Sequence, residues 1–197
     1  MTSPLTLASG SSTRARLLRD AGLSFDQLPV RVDEDTLRLS LQADGAPPRD
    51  IADVLAEAKA QKAAGRVEQG FVLGCDQILS LEGRIFAKAT SCEEAAQHLA
   101  ALSGKKHSLF SALVIYEDLK PVWRHIGVAH LTMRPLTSTD IEAYLDKTWP
   151  DVSASVGCYH LEGRGVQLFE RVDGDMFTIQ GLPLLPLLSF LRIRGVI

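Results

Sequence analysis

The stretch Phe71-Val72-Leu73-Gly74-Cys75-Asp76-Gln77 places an acid and an amide directly after a run of mostly apolar residues. A short continuous apolar run of this kind is typical of a buried strand. A carboxylate at such a place is costly to bury unless it is paired, bound to a metal or set at a cleft. We therefore predict that Asp76 is a general base for water or a metal ligand. The alternative is an aspartate that only ends the strand.

The residues that follow, 78–86, predict a hairpin with its turn at 82–83. A two-residue turn would set Gln77 opposite Lys88, whereas a three-residue loop would put Asp76 and Lys88 on one face, two positions apart. In either register Lys88 returns close to Asp76. There it could neutralise phosphate charge; the alternative is a surface lysine.

Before the strand, the sequence predicts a long helix from Pro48 to Ala64, ended by Gly65. Apolar residues recur along it at helical spacing, as on a helix with one buried face. Lys59 lies on this helix. Its side chain either reaches a cleft or runs along the surface with its ammonium group in water.

Residues 33–45 are polar and are predicted to form a loop. The loop would begin with Asp33-Glu34-Asp35, directly after a segment over 25–32 that is predicted to be extended. Clustered carboxylates can hold Mg²⁺, which prefers oxygen ligands and commonly bridges to substrate phosphates. The alternative is an acidic loop in solvent.

Near the N-terminus, a short predicted strand over 4–8 runs into the small-residue turn Ser9-Gly10-Ser11-Ser12. Helical spacing follows, so the turn would open a helix whose first backbone N–H groups are unpaired. With its hydroxyls and Arg14, such a turn predicts a cradle for a triphosphate. The alternative is an ordinary capped helix with a surface arginine. It is not a Walker A loop, since no Gly-Lys-Ser/Thr follows.

The rest of the chain completes the fold class. The patterns favour helices over 91–102, 137–147 and 184–194, strands over 107–117 and 122–133, and two strands around a glycine-rich turn within 156–172. Strands and helices interleave, but some strands are adjacent, so an α/β fold with a mixed sheet is predicted. His107 is expected to be structural. Tyr159 and Glu162 could stack on a base and accept hydrogen bonds from its edge, or be a core tyrosine and a turn glutamate.

Composition excludes several classes of protein. The 197 residues are 46% hydrophobic and no linker divides them, which predicts one domain over residues 1–197. A net charge of -3 argues against non-specific nucleic-acid binding. Three cysteines without a CxxC pair favour a reducing compartment. No apolar run approaches the roughly 20 residues of a membrane span, and no secretory signal is visible, so a cytoplasmic location without membrane contact is predicted.

Taken in order, these segments resemble the Maf family of nucleoside triphosphate pyrophosphatases. The matching pieces are Leu7-Ala8-Ser9-Gly10-Ser11 with Arg14, Val32-Asp33-Glu34, Leu55-Ala56-x-x-Lys59-Ala60, Gly74-x-Asp76, Lys88, Leu102-Ser103-Gly104-x-x-His107, Gly157, Glu162-Gly163 and Gly181-Leu182-Pro183-Leu184. The resemblance covers nearly the whole chain. It implies a two-lobed α/β domain with a mixed, twisted sheet and a central cleft, a homodimer, and hydrolysis of a nucleotide to its monophosphate and pyrophosphate with Mg²⁺ or Mn²⁺.

The resemblance also implies roles for individual residues. The catalytic residues would be Asp76 as proton acceptor, Lys88 and Glu34, with Asp76 and Glu34 also holding the metal. The phosphate contacts would be Ser9, Ser11, Arg14 and Lys59. The positions at which base choice varies in the family are here Thr13, Gln77 and Glu162. Gln77 with Glu162 resembles the branch that acts on 7-methyl-GTP, although Thr13 stands where that branch commonly has an aromatic residue.

Three other functions stay open at this point. One is a non-catalytic nucleotide-binding regulator of septum formation or cell division; the others are a pyrophosphatase that prefers dTTP or UTP and a phosphomonoesterase that releases orthophosphate. Asp76, Glu34 and Lys88 together favour catalysis, because a scaffold would not need them. The Glu162 carboxylate suits a purine edge with N–H donors or a cationic methylated guanine, and matches a uracil carbonyl poorly.

Overall fold

A computed structural model describes residues 5–197. The strands are β1 (Leu5–Leu7), β2 (Asp26–Gln27), β3 (Phe71–Leu81), β4 (Arg84–Phe86), β5 (Lys106–Glu117), β6 (Lys120–Met133) and β7 (Phe169–Asp173). The α-helices are α1 (Ser12–Asp20), α2 (Glu34–Ala43), α3 (Pro48–Ala64), α4 (Cys92–Leu102), α5 (Ser138–Thr148), α6 (Met176–Ile179) and α7 (Leu184–Ile193). Short 3-10 turns span Asp151–Ala154, Val156–Cys158 and Arg164–Leu168.

The strands in the described residues form one mixed sheet in the order β2-β1-β3-β5-β6-β7, with β4 paired to the end of β3. β1 runs parallel to both β2 and β3, and the other pairings are antiparallel. The predicted α/β class with a mixed sheet is confirmed. Each helix within residues 5–197 is too short or too polar to traverse a bilayer.

A gap in the sheet lies along one edge of β3. β5 pairs with residues 72–80 on one edge of this strand. On the opposite edge, β1 pairs with residues 71–73 and β4 with residues 79–81, so the described residues supply no strand beside 74–78. Asp76 lies in this gap. It is in the middle of an eleven-residue strand, not just beyond the strand's end as the sequence suggested.

Alternation along β3 directs neighbouring side chains to opposite faces of the sheet. Val72 and Ile78 pack against α3, whereas Leu73 and Cys75 pack in a cluster with residues of α1 and α7. Asp76 shares the α3 face and Gln77 the other. The sheet is therefore covered on both sides, and two adjacent polar residues reach the gap from different faces.

Helix α3 turns Lys59 toward the sheet. The buried positions of this helix include Ala52, Ala56, Ala60 and Ala63, whose small side chains let the helix axis approach β3 closely. Lys59 falls on the same face and is 8% exposed. The predicted bounds of this helix, and its end at Gly65, are confirmed.

Two predicted elements are wrong. The segment over 33–45 is not a loop, because Asp33 caps α2 by accepting a hydrogen bond from the Thr36 N–H (3.1 Å), and Leu37 and Leu41 pack against the α3 core. The segment over 156–172 is not two strands. Gly157 and Cys158 have positive φ angles of 79° and 58°, so this backbone turns repeatedly before β7 begins.

Other predictions hold with different limits. The strand expected over 4–8 is β1; Pro4 lies outside the described residues. Only Asp26–Gln27 of the segment predicted to be extended over 25–32 pairs in the sheet. The β3–β4 hairpin has the two-residue turn, since Leu81 pairs with Arg84. Ser11, Ser91 and Thr137 each cap a helix through a side-chain oxygen.

His107 is a core residue, as expected, and it gives the fold a pH dependence. Its ring is 1% exposed, and its Nε2 lies 2.8 Å from the Tyr159 hydroxyl. Burial lowers the pKa of His107 to about 4. An unfolded histidine titrates near 6.5, so between these values the unfolded chain binds the extra proton and stability falls as the pH decreases.

We expect the free energy of unfolding to fall by about 2 kcal/mol from pH 7 to pH 5 through His107 alone. His107→Gln, which keeps a hydrogen-bonding group toward Tyr159, should lose this part of the pH dependence. Urea unfolding of both proteins at the two pH values measures it. Equal falls in stability for the two proteins would show that His107 does not carry the effect.

Candidate active site

The gap beside β3 opens into a cleft of about 1370 Å³. Its walls come from the turn before α1, the start of α2, α3, the middle of β3, the end of β4 with the residues after it, and the turns over 151–162. All ten residues that the sequence selected line it: Ser9, Ser11, Thr13, Arg14, Glu34, Lys59, Asp76, Gln77, Lys88 and Glu162. Side chains from six separate segments therefore meet in one concavity.

A buried ion pair occupies the floor of the cleft. The Lys59 ammonium donates to Asp76 Oδ1 at 2.6 Å and lies 3.1 Å from Glu34 Oε1. Burial raises the pKa of Asp76 above its ordinary value, and the nearby positive charges of Lys59 and Arg14 oppose that rise. Asp76 is thus a carboxylate of increased basicity held beside two cations, as a general base for water needs to be.

Arg14 binds the backbone of β3 at the gap in the sheet. Its Nε donates to Gly181 O (2.9 Å), and its Nη1 donates to Cys75 O (3.0 Å) and Ser9 Oγ (3.3 Å). Within residues 5–197 its Nη2 makes no hydrogen bond. The sequence suggested only an anion contact here. The guanidinium is instead largely a structural tie between α1, β3 and the segment before α7, although Arg14 also lines the cleft.

The turn before α1 forms the wall next to Arg14. Ser11 Oγ accepts from the Arg14 N–H (3.3 Å), and Ser9 Oγ accepts from the Ser11 N–H (3.2 Å). The backbone N–H groups at the start of a helix have no intrahelical partner and carry partial positive charge. This wall is suited to phosphate oxygens.

Lys88 reaches the cleft from the segment after β4. The residue is exposed to the cleft. Desolvation by the surrounding protein, and then the positive charge of Arg14, lower the pKa of Lys88 below its ordinary value. Lys59, Arg14 and Lys88 thus bring three basic side chains to the two carboxylates at the floor of the cleft, Asp76 and Glu34.

Gln77 and Glu162 also line the cleft. The Gln77 amide nitrogen donates to Ser111 Oγ (2.9 Å), Ile179 O (3.0 Å) and Thr178 O (3.2 Å), which leaves its carbonyl oxygen as the group available to a ligand. Glu162 is exposed at the rim, 3.9 Å from Arg16. Both residues therefore offer hydrogen-bond acceptors.

Tyr159 is not available to stack on a base, because it is 4% exposed and packs edge-on against Phe169 at a centroid distance of 4.8 Å. Of the two alternatives for Tyr159, a core tyrosine is therefore the correct one. Sequence analysis missed Arg16 and Gln180, which hydrogen-bond at 2.7 Å across the rim. Arg16 lies three residues after Thr13 on α1, and this helical spacing is the signal that could have revealed it.

The carboxylates suit a divalent ion that the substrate helps to bind. Nowhere in residues 5–197 do three or more His, Cys, Asp or Glu side chains gather in a metal-binding arrangement. Asp76 and Glu34 nevertheless already surround one cation, the Lys59 ammonium. Mg²⁺ is commonly held by one or two carboxylates together with substrate phosphates, so this donor set fits it.

The chain is similar to known proteins along nearly its whole length. The Maf-like protein family model matches residues 4–193. Nucleoside triphosphate pyrophosphatase 1 of Jannaschia sp. (strain CCS1) is 57% identical over 99% of this chain and 98% of that protein. The 7-methyl-GTP pyrophosphatase of Mesorhizobium japonicum (strain LMG 29417 / CECT 9101 / MAFF 303099) is 49% identical over 100% and 99%. Among solved structures, a HAM1 protein from Coxiella burnetii superposes with a TM-score of 0.43 at 18% identity, over 68% of this chain and 73% of that one.

Proposed function

This chain belongs to the Maf family, and we propose that it hydrolyses a nucleoside triphosphate to the nucleoside monophosphate and pyrophosphate. Its full-length relatives named for this activity support the proposal. The observation that carries it is the buried Asp76 carboxylate at the floor of a cleft, beside the positive charges of Lys59 and Arg14. A carboxylate placed there can activate water next to a bound polyphosphate.

In the proposed reaction Asp76 accepts a proton from water as the water oxygen attacks the α-phosphorus. The bond between the α-phosphorus and the bridging oxygen breaks, and pyrophosphate leaves. Lys59, Lys88 and the free amino group of Arg14 hold the phosphates and offset their charge. Mg²⁺ or Mn²⁺ held by Asp76 and Glu34 would supply further positive charge to the phosphates.

We further propose that the base is a guanine or a methylated guanine. The Gln77 carbonyl and the Glu162 carboxylate both accept hydrogen bonds, and the guanine edge offers N–H donors at N1 and N2. A uracil or thymine presents carbonyl oxygens on either side of its one N–H, and these would face acceptors. The 7-methyl-GTP pyrophosphatases among the relatives are consistent with this choice.

The test is a panel of GTP, 7-methyl-GTP, CTP, UTP and dTTP, each with Mg²⁺ or Mn²⁺ and with a chelator control. We expect pyrophosphate release, with kcat/KM for the guanine nucleotides at least about tenfold above UTP and dTTP. Orthophosphate alone would indicate a phosphomonoesterase. No release from any nucleotide would favour a binding regulator, and faster UTP or dTTP turnover would contradict the base assignment. The homodimer and the cytoplasmic location stay predictions.

A further inference from the structure

We propose that, in the protein without nucleotide, the Lys59 ammonium occupies the position of the divalent ion between Asp76 and Glu34. The nucleotide displaces the ammonium, so the ion binds together with the substrate and not before it. This inference rests on the proposed function, because the nucleotide is what moves the ammonium. It gives Lys59 a role besides contacting phosphate: it positions the two carboxylates in the free protein and keeps a metal from them.

The contacts of the ammonium carry this inference. A single nitrogen lies 2.6 Å from Asp76 Oδ1 and 3.1 Å from Glu34 Oε1, so both carboxylates already have a cation between them. The Lys59 side chain is 10% exposed and that of Asp76 is 8% exposed. Breaking a buried ion pair leaves an uncompensated charge and is strongly unfavourable. A metal ion approaching the free protein must displace this lysine first.

The charges around the pair act in the same direction. Arg14 and Lys88 interact with the same pair, so at the floor three basic side chains face two carboxylates; the other acidic residues of the cleft are Asp33, Asp35, Glu94, Asp151 and Glu162. Without a nucleotide, the three basic groups outnumber the two carboxylates at the floor and disfavour a further cation there. A triphosphate reverses this balance, because it supplies several negative charges at once. It attracts the ammonium toward its own oxygens and offers oxygens that complete the coordination of the metal.

The close packing of α3 against β3 explains why the Lys59 side chain is held in place. Ala56 and Ala60 pack directly over Gly74 of β3, and Lys59 lies on the adjoining part of the same buried helix face, with its ammonium on Asp76. The Lys59 ammonium therefore meets the Asp76 carboxylate where α3 comes closest to the sheet. Glu34, at the start of α2, reaches the same nitrogen from the cleft side and is about half exposed.

The experiment measures Mn²⁺ binding to the nucleotide-free protein from the electron paramagnetic resonance signal of free Mn²⁺ at pH 7.5. We expect weak binding to the native protein, and binding at least about tenfold tighter to Lys59→Met, which removes the competing charge while keeping an unbranched side chain. Lys59→Met combined with Glu34→Gln should return to the native level. Lys147→Met, the same change at an exposed position in the last turn of α5, should match the native protein.

The native protein can refute the proposal even where Lys59→Met does not fold. Tight Mn²⁺ binding to the native protein that Glu34→Gln abolishes would overturn the proposal, as would a Lys59→Met protein that is folded and binds no tighter. If Lys59→Met binds Mn²⁺ more tightly and still does so when combined with Glu34→Gln, the ion lies elsewhere and the proposal is overturned as well. Turnover plays no part in these measurements. A native enzyme that releases pyrophosphate yet binds Mn²⁺ tightly on its own leaves the proposed function intact and refutes this inference alone.

Discussion

Asp76→Asn should lower kcat for pyrophosphate release by about 100- to 10,000-fold, with KM changed much less. Asparagine keeps the shape of the side chain, and its amide oxygen can still accept from the Lys59 ammonium, which donates to Asp76 at 2.6 Å in the native protein. It cannot accept a proton from water. The loss therefore falls on the chemical step, while the phosphate contacts from Arg14 and Lys88 remain.

The matched control is Asp35→Asn, because Asp35 also lines the cleft but is exposed and, among residues 5–197, forms an ion pair with Arg38 alone, at 2.8 Å. Its kcat should stay within about twofold of native. Steady-state kinetics on the preferred nucleotide, with circular dichroism and thermal unfolding for each variant, measure the effect. A folded Asp76→Asn protein with near-native turnover would remove Asp76 from the mechanism as the proton acceptor.

The sequence predicts most of the fold because local signals mark its helix ends. Ser11, Ser91 and Thr137 act as N-caps, and Gly65 follows the end of α3, so these boundaries depend on nearby residues alone. Helix α2 was missed because none of its residues is fully buried and its polar composition resembles a loop. The one clear sequence signal for α2 is its N-cap, Asp33, which was interpreted as part of a metal-binding cluster instead.

The site residues could be chosen from the sequence, but their mutual arrangement could not. Asp76 stood out because a carboxylate follows apolar residues. The gap that exposes it depends on the lengths of β1 and β4, which are set by pairing between distant segments. Likewise, the double role of Arg14 depends on two carbonyls, at Cys75 and Gly181, that come near only in the folded chain.

The irregular segment near Glu162 was mispredicted for a related reason. Its backbone takes left-handed conformations at Gly157 and at Cys158, a residue type that rarely adopts them. Tertiary contacts hold Cys158 there, since its side chain is fully buried. Alternating apolar residues in the sequence suggested strands, whereas packing against α4 and β3 selected tight turns.

Gly74→Ala should destabilise the fold by about 3 kcal/mol or more, the largest stability effect expected of a single methyl group in this chain. A Cβ at this position would lie 2.1 Å from Ala56 O and 2.7 Å from Ala60 N. Both are backbone atoms of α3, so no side-chain rotation can relieve the overlap. The helix must move away from β3 and lose packing along its whole buried face.

The same movement would separate Lys59 from Asp76, so any folded Gly74→Ala protein should also lose activity. Urea unfolding measures the stability loss, and Gly65→Ala is the control, since its Cβ would meet nothing nearer than 3.9 Å and its φ is an ordinary -67°. Adding Ala60→Gly to Gly74→Ala removes the 2.8 Å contact with the Ala60 Cβ but neither backbone overlap, and should not restore stability. Recovery in that double variant would mean that side-chain crowding, not the approach of the α3 backbone, sets the distance between the lysine and the carboxylate.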